Sequence, residues 1–168
     1  MSEKQPTATK SANRWLYLPA VFVLVGAVAF TMFYGKGNSF QLFPDDPTIV
    51  AQGQSIYQAN CASCHGVNLE GQPNWQKRTA EGLMPAPPHD QSGHTWHHAS
   101  ELLFKMTKFG PASLIKEANY KSGMSDFAEI LSDKEIIAVL SYIKSTWPAD
   151  VRKSHDKIDQ AYKQNNGG

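Results

Sequence analysis

The stretch Cys61-Ala62-Ser63-Cys64-His65 constrains this chain more than any other feature. Two thiols three positions apart can add to the two vinyl groups of one porphyrin. The histidine that follows them can then give the iron an imidazole nitrogen. This C-x-x-C-H pattern is typical of covalent c-type haem attachment, so we predict one haem c bound by Cys61, Cys64 and His65.

Two other uses of the cysteine pair fit the sequence less well. A disulfide or a redox-active pair would not require His65 beside the second cysteine, and the chain has no further cysteine. A structural zinc site usually draws four ligands from more than one Cys or His pair, and no second C-x-x-C occurs in the chain. Covalent haem therefore remains the leading prediction.

Residues 15–34 read WLYLPAVFVLVGAVAFTMFY and form a run of 20 residues without a charge. About 20 apolar residues span a bilayer as a helix, and aromatic residues stand at both ends, as in interfacial belts. Three basic residues precede the run. The positive-inside rule then predicts a single-pass anchor at 15–34 in a bacterial inner membrane, a cytoplasmic segment at 1–14, and a haem domain in the periplasm.

A cleaved signal peptide is the alternative for this segment, because Ala27-Val28-Ala29 fits a small-x-small cleavage site. The apolar run continues to Tyr34 and is longer than a usual signal-peptide core, which favours a retained anchor. Residues 35–47 follow as a turn-rich linker. Thirteen residues reach at most about 45 Å when extended, so the linker would hold the haem domain close to the membrane.

The spacing of apolar residues predicts helices at 48–60, 100–109 and 132–147. The last of these begins with an S-x-x-E capping box made by Ser132 and Glu135. No stretch of useful length alternates between apolar and polar residues as a strand does. We therefore predict an all-α domain.

The rest of the chain completes the predicted organisation. Residues 67–93 are rich in glycine and proline, which predicts a loop, and a loop of this length must pack on something, such as a haem. The haem domain is placed at 48–148 and a polar tail at 149–168. A net charge of +1 gives no indication of nucleic-acid binding.

A haem iron held by His65 needs a second axial ligand, and methionine is favoured because a soft thioether raises the reduction potential. Met106 lies on the apolar face of a predicted helix and is most simply a core residue. Met84 follows His65 by only nineteen residues, so its loop would have to circle the haem edge tightly. Met124 lies in a loop just before the capped last helix. We predict Met124, with Met84 or a histidine as the alternatives.

Residues 48–147 resemble the class I cytochromes c. The resemblance is carried by the C-x-x-C-H motif after a first helix, by Gly123-Met124 with Phe127 shortly after, and by a closing helix with a central aromatic residue. It implies the cytochrome c fold around one covalent haem, with Met124 as the axial ligand. Many such loops have proline after the methionine, whereas Ser125 stands here.

The resemblance also implies two contacts inside the domain. Gly53 and Tyr57 of the first helix would meet Tyr142 of the last, where the two helices cross. A proline carbonyl soon after the motif would orient the axial histidine, and Pro85 or Pro87 would fit that role.

Four histidines, His89, His94, His97 and His98, stand within ten residues. The favoured interpretation is a polar segment that caps loop groups or contacts the haem propionates. The i, i+4 spacing of His94 and His98 would also suit a metal ion on a helix. Two tryptophans are candidate donors to a propionate, Trp75 and Trp96.

The predicted function is one-electron transfer rather than catalysis, because a haem with both axial positions filled has no open site for a substrate. The leading hypothesis is a membrane-anchored carrier in a respiratory chain, between a quinol-oxidising complex and a terminal oxidase. A fixed cytochrome subunit of a membrane oxidase or dehydrogenase complex is the alternative. A haem enzyme or gas sensor with a labile Met124 ligand is the third candidate.

Overall fold

The structure is a computed structural model that describes residues 40–117 and 120–166. The predicted cytoplasmic segment 1–14, the predicted anchor 15–34 and most of the linker lie outside these ranges. Within residues 40–117 and 120–166 there are six α-helices. In chain order they are α1 Pro47–Asn60, α2 Ala62–His65, α3 Ser100–Phe109, α4 Pro111–Leu114, α5 Asp133–Ser145 and α6 Ala149–Asn166. A 3₁₀ turn at Thr95–His97 precedes α3.

The prediction of an all-α domain is confirmed for the part of the chain that the structure describes. Its β-pairing is limited to one isolated parallel bridge between Met84 and Ser122. The predicted helices at 48–60, 100–109 and 132–147 correspond to α1, α3 and α5. The bounds of α3 agree with the prediction, and those of α1 and α5 differ from it by at most two residues.

The predicted location, an inner-membrane protein with a periplasmic haem domain, is contradicted and is corrected here. Within residues 40–117 and 120–166, no helix is long and apolar enough to cross a membrane. The longest of these helices, α6, has 18 residues and carries charged side chains along most of its length. The apolar run 15–34, on which the prediction rested, lies outside the described residues.

Helix α1 begins where Asp46 caps it. The Asp46 carboxylate accepts hydrogen bonds from the backbone N–H groups of Thr48 and Ile49, at 2.9 and 3.1 Å. Pro47 occupies the first turn, where its missing N–H group costs nothing. The helix ends at Asn60 and leads directly into the cysteine motif.

Helices α1 and α5 meet at Gly53. A Cβ atom added to Gly53 would overlap the carbonyl of Ala138 and would lie 2.9 Å from the Cβ of Tyr142. Glycine therefore lets the two backbones approach more closely than any other residue would. Beside this contact the rings of Tyr57 and Tyr142 lie 5.6 Å apart, centroid to centroid. The helix contact implied by the resemblance is present.

Helix α5 contributes more buried residues than any other helix in the part of the chain that the structure describes. Its capping box is formed: the Glu135 carboxylate accepts from Ser132 N–H at 2.8 Å, and Ser132 Oγ accepts from Glu135 N–H. The predicted apolar stripe is buried along its whole length, from Ile136 through Leu140 and Ile143 to the following Trp147. At about 25 cal/mol per Å² of apolar surface, this stripe is a main source of the domain's stability.

Helix α6 was not predicted, because the tail 149–168 shows only a weak apolar stripe. In the structure, α6 packs against the start of α3 and the residues just before it through polar contacts. The Asp159 carboxylate accepts from Ser100 N–H at 2.6 Å and from Ser100 Oγ at 2.7 Å. It thereby caps α3 from a distant part of the chain. His155 is fully buried, and its Nε2–H donates to the His98 carbonyl at 3.0 Å.

We expect the docking of α6 to weaken in acid because of His155. Burial lowers the pKa of His155, and this effect outweighs the Asp159 carboxylate that acts in the opposite direction. A histidine whose folded pKa lies below its unfolded value of about 6.5 stabilises the fold fully above that pH. That stability is lost as the pH falls through the folded pKa, because the unfolded chain then binds the proton more readily.

Urea unfolding between about pH 7.5 and about pH 5 measures this effect. The free energy of unfolding should fall toward the acid side, and His155→Gln should show a smaller fall than the parent protein. His97→Gln, at an exposed position, serves as the matched control and should follow the parent. An identical pH dependence in all three proteins would remove the role assigned to His155.

Candidate haem site

The cysteine motif lies in a tight helical turn at the end of α1. The Cys61 N–H group donates to the Tyr57 carbonyl at 2.8 Å and so closes α1, while His65 N–H donates to the Cys61 carbonyl at 2.9 Å. Both thiols are free, with Cys61 half-buried and Cys64 exposed. Burial, with the neighbouring Cys64, raises the pKa of Cys61 to about 11.

A hydrogen bond holds the side chain of His65 in one tautomer. Its side chain is buried, and its Nδ1–H donates to the Pro87 carbonyl at 2.9 Å. The proton on Nδ1 leaves Nε2 with a free lone pair, which is the arrangement that metal-bound histidines usually show. Burial lowers the pKa of His65, which favours the neutral ring. Of the two prolines considered, Pro87 makes the contact.

Two free thiols and one neutral imidazole in this arrangement fit a covalent haem c. Cys61 and Cys64 would hold the porphyrin, and His65 would ligate its iron, which would supply the site's one-electron chemistry. The chain's own contribution is to fix the donor atoms and to wrap the group.

The loop that follows the motif is tied back onto it. Gly71 N–H donates to the His65 carbonyl at 2.8 Å, and His89 N–H donates to the Leu69 carbonyl at 2.8 Å. Gly71 has a φ of 68°, and a Cβ there would meet the backbone of Pro87 and Pro88. Glycine thus allows the two segments of the loop to touch next to the turn that holds His65.

Tyr57 links α1 to the same turn. Its hydroxyl donates to the Gly66 carbonyl at 2.8 Å, and the residue is fully buried. Burial, aided by nearby acidic groups including Cys61, raises the pKa of the Tyr57 phenol, so it remains a donor at all ordinary pH values.

We expect Tyr57→Phe to lower the free energy of unfolding by about 1–2 kcal/mol, because the partly buried Gly66 carbonyl loses its donor. Chemical unfolding of the haem-loaded protein measures this loss. Tyr142→Phe removes the same atom from the ring packed against Tyr57 and serves as the control. Equal unfolding midpoints for the two variants would show that the Gly66 hydrogen bond contributes nothing.

Three of the four clustered histidines stack on three different rings, and the fourth, His98, lies edge-on to His94 with centroids 5.2 Å apart. His89 stacks on the His65 ring, with centroids 4.0 Å apart, and His94 stacks on Trp75 at 5.1 Å. His97 stacks on Trp96 at 3.7 Å. The Trp96 indole N–H points to the Gln91 carbonyl at 3.4 Å. The buried Trp147 also donates its indole Nε1–H, to the His89 carbonyl at 2.7 Å. The sequence placed this residue in the apolar stripe of the last helix and not among the candidate donors to a propionate.

A metal site at these histidines gains no support. Among the described residues, three close metal-binding side chains occur at His155, Asp156 and Asp159, not at His94 and His98. At that other cluster the Lys144 ammonium already stands 2.6 Å from Asp156 and 3.8 Å from Asp159. It therefore serves as the cation of the cluster.

Two of the three candidate methionines, Met84 and Met124, lie in one neighbourhood. The bridge between Met84 and Ser122 brings the backbone of Met84 beside the loop of Met124. The Ser122 hydroxyl in turn accepts from Met124 N–H at 3.0 Å. Met106 lies on α3 and is half-buried. The sequence did not predict that the backbone of Met84 would pair beside the loop of Met124.

The loop of Met124 is fastened to α3. Phe127 N–H donates to the carbonyls of Thr107 and Lys108, at 3.2 and 3.1 Å. The Phe127 ring packs against the core cluster. These contacts hold the segment between Met124 and α5 against the domain.

Comparison with known proteins agrees with this geometry. The family model for Cytochrome c matches residues 50–147. Cytochrome c-555 of Prosthecochloris aestuarii is 30% identical over 71 residues, which cover 39% of this chain and 72% of that protein. No solved structure matches the chain significantly. The covalent haem c predicted from the C-x-x-C-H motif is thereby confirmed, and the chain belongs to the cytochrome c family.

Proposed function

We propose that this haem-based electron carrier holds its iron between His65 and Met124 and passes one electron at a time between redox proteins. Membership of the cytochrome c family supports the general role. The observation that carries the proposal is the buried His65, whose Nδ1–H donates to the Pro87 carbonyl at 2.9 Å and leaves Nε2 for the iron.

Met124 is preferred to Met84 because its loop is held on both sides. The Ser122 hydroxyl accepts from its backbone N–H, and Phe127 anchors the following residues to α3. An axial ligand on a fixed loop needs little rearrangement when the iron changes its charge. Met84 precedes Pro85 and stays the alternative that experiment should test.

An iron ligated by an imidazole and a thioether has no open position for a substrate. The protein then binds, orients and shields the haem and tunes its potential, while making no bonds to a substrate. A thioether ligand favours the ferrous state and raises the potential. We therefore propose electron transfer, with no enzymatic activity of the chain itself.

The partners that we propose are redox proteins of a respiratory chain. A free carrier and a subunit of a larger oxidase or dehydrogenase would differ in their behaviour on native electrophoresis. A carrier should migrate as a small haem-staining band, whereas a subunit should migrate with its complex.

Potentiometric titration of the purified holoprotein tests the proposed function. The absorbance should follow a single one-electron transition, and the ferric protein should show the near-infrared sulfur-to-iron charge-transfer band. A ferric spectrum without that band would contradict methionine ligation. A transition that needs more than one electron would contradict the carrier role.

A further inference from the structure

The axial histidine has a second histidine stacked on it. The rings of His65 and His89 lie 4.0 Å apart, centroid to centroid, and their planes are inclined by 20°. Two flat rings at this distance are in van der Waals contact over their faces. The His65 ring therefore cannot turn about its Cβ–Cγ bond without displacing the His89 ring.

His89 is held in place through its backbone. Its N–H group donates to the Leu69 carbonyl at 2.8 Å. Its own carbonyl accepts from the buried Trp147 indole Nε1–H at 2.7 Å. Two segments distant in sequence, the loop after the motif and the residues just after α5, thus hold the backbone of His89 in place.

The ring of His89 is fixed as well. Thr95, which is 5% exposed, donates its hydroxyl to the Pro88 carbonyl at 3.3 Å. Its oxygen is then free to accept from His89 Nδ1–H, at 2.8 Å. This hydrogen bond sets the tilt of the His89 ring, so the face turned toward His65 is a rigid surface.

We propose that His89 is a positioning residue that sets the orientation of the His65 imidazole plane. The inference rests on the proposed function, in which His65 ligates the iron. The Pro87 carbonyl fixes the direction of the His65 Nδ1–H bond, and the His89 ring blocks rotation of the His65 imidazole away from that direction. Partners of a ligating histidine commonly orient it in this way, and the stack adds a steric support to the hydrogen bond.

The plane of an axial imidazole affects the electronic structure of low-spin ferric iron. It sets the energies of the iron d orbitals that overlap with the ligand π system. The g values in electron paramagnetic resonance report that splitting. They respond to the orientation of the ligand and are insensitive to a purely structural loss of stability, so they separate positioning from folding.

The test compares His89→Leu with His94→Leu in the haem-loaded full chain. His94 belongs to the same segment and also stacks on an aromatic ring, but its partner is Trp75. We expect His89→Leu to shift the g values and to broaden the lines, because the His65 plane gains freedom. We expect His94→Leu to reproduce the parent spectrum. His89→Phe keeps a flat ring without the Thr95 hydrogen bond and should restore most of the parent g values.

Identical g values for His89→Leu and the parent would overturn the proposal. If His89→Leu does not accept haem, His89→Phe decides: parent-like g values support the stack, and g values far from the parent's contradict it. The spectra of the parent protein test the proposed ligation by His65 and Met124 separately from the positioning role of His89. A parent that lacks the low-spin signal and the sulfur-to-iron band would overturn the ligand assignment, whereas a normal parent with an unchanged His89→Leu would overturn the positioning role alone.

Discussion

Replacing Met124 with alanine should abolish the near-infrared sulfur-to-iron band of the ferric protein and lower its reduction potential. The haem should stay covalently attached, because Cys61, Cys64 and His65 are untouched. Axial ligand identity spans a range of about 0.8 V in haem proteins, so we expect the drop to take up a sizeable part of that range. Absorption spectroscopy and potentiometric titration measure the two effects.

The matched control for Met124→Ala is Met84→Ala, since the bridge from Met84 to Ser122 places both methionines in the same neighbourhood. We expect the control to keep the band and a potential close to that of the parent. Helix α5 should form in both variants, because its capping box and apolar stripe do not depend on either sulfur. A protein that keeps the band without Met124 and loses it without Met84 would reverse the ligand assignment.

Gly53→Ala should destabilise the domain markedly, although alanine is the better helix former. In an exposed helix the change would gain about 1 kcal/mol. Here the new methyl group would overlap the Ala138 carbonyl and crowd Tyr142. Overpacking of this kind costs about 1–3 kcal/mol, and more where the obstacle is backbone. A lower unfolding midpoint in the haem-loaded protein therefore isolates the helix contact, because helix propensity acts in the opposite direction.

Gly123→Ala is the control for this substitution. A Cβ at Gly123 would meet nothing within 4 Å, so the unfolding midpoint should stay near that of the parent. If Gly53→Ala proved as stable as Gly123→Ala, α1 and α5 would not pack as closely as described.

Patterns within one segment predicted much of the fold. The capping box of Ser132 and Glu135 and the periodic apolar residues of α5 describe local geometry, and both are present as expected. The C-x-x-C-H motif is equally local, because five consecutive residues carry its chemistry. Family membership then confirmed the covalent haem that the motif predicts.

Contacts between distant segments could not be predicted in this way. Helix α6 docks through Asp159 and Ser100, which are 59 positions apart, and through the buried His155. A buried histidine and an aspartate in a polar tail have no periodic signal. The stacking of His89 on His65 has the same origin, since it depends on how a loop of irregular backbone folds back on the motif.

Sequence position also could not decide between neighbouring residues of the same type. Pro85 and Pro87 were equivalent by position, and only the hydrogen bond from His65 separates them. The membrane location was predicted from the hydropathy, the aromatic ends and the flanking basic residues of the run 15–34, without reference to the domain. None of the described helices has the length and apolar character to cross a membrane.

Carbon monoxide binding to the ferrous holoprotein at neutral pH distinguishes a haem with both axial positions filled from one with an open position. If His65 and Met124 fill both axial positions, carbon monoxide should leave the Soret band of the parent protein unchanged. The Met124→Ala variant should bind carbon monoxide readily and serves as the positive control. Prompt binding by the parent would show an open or labile position and would contradict the account of this chain as an electron carrier with a closed haem.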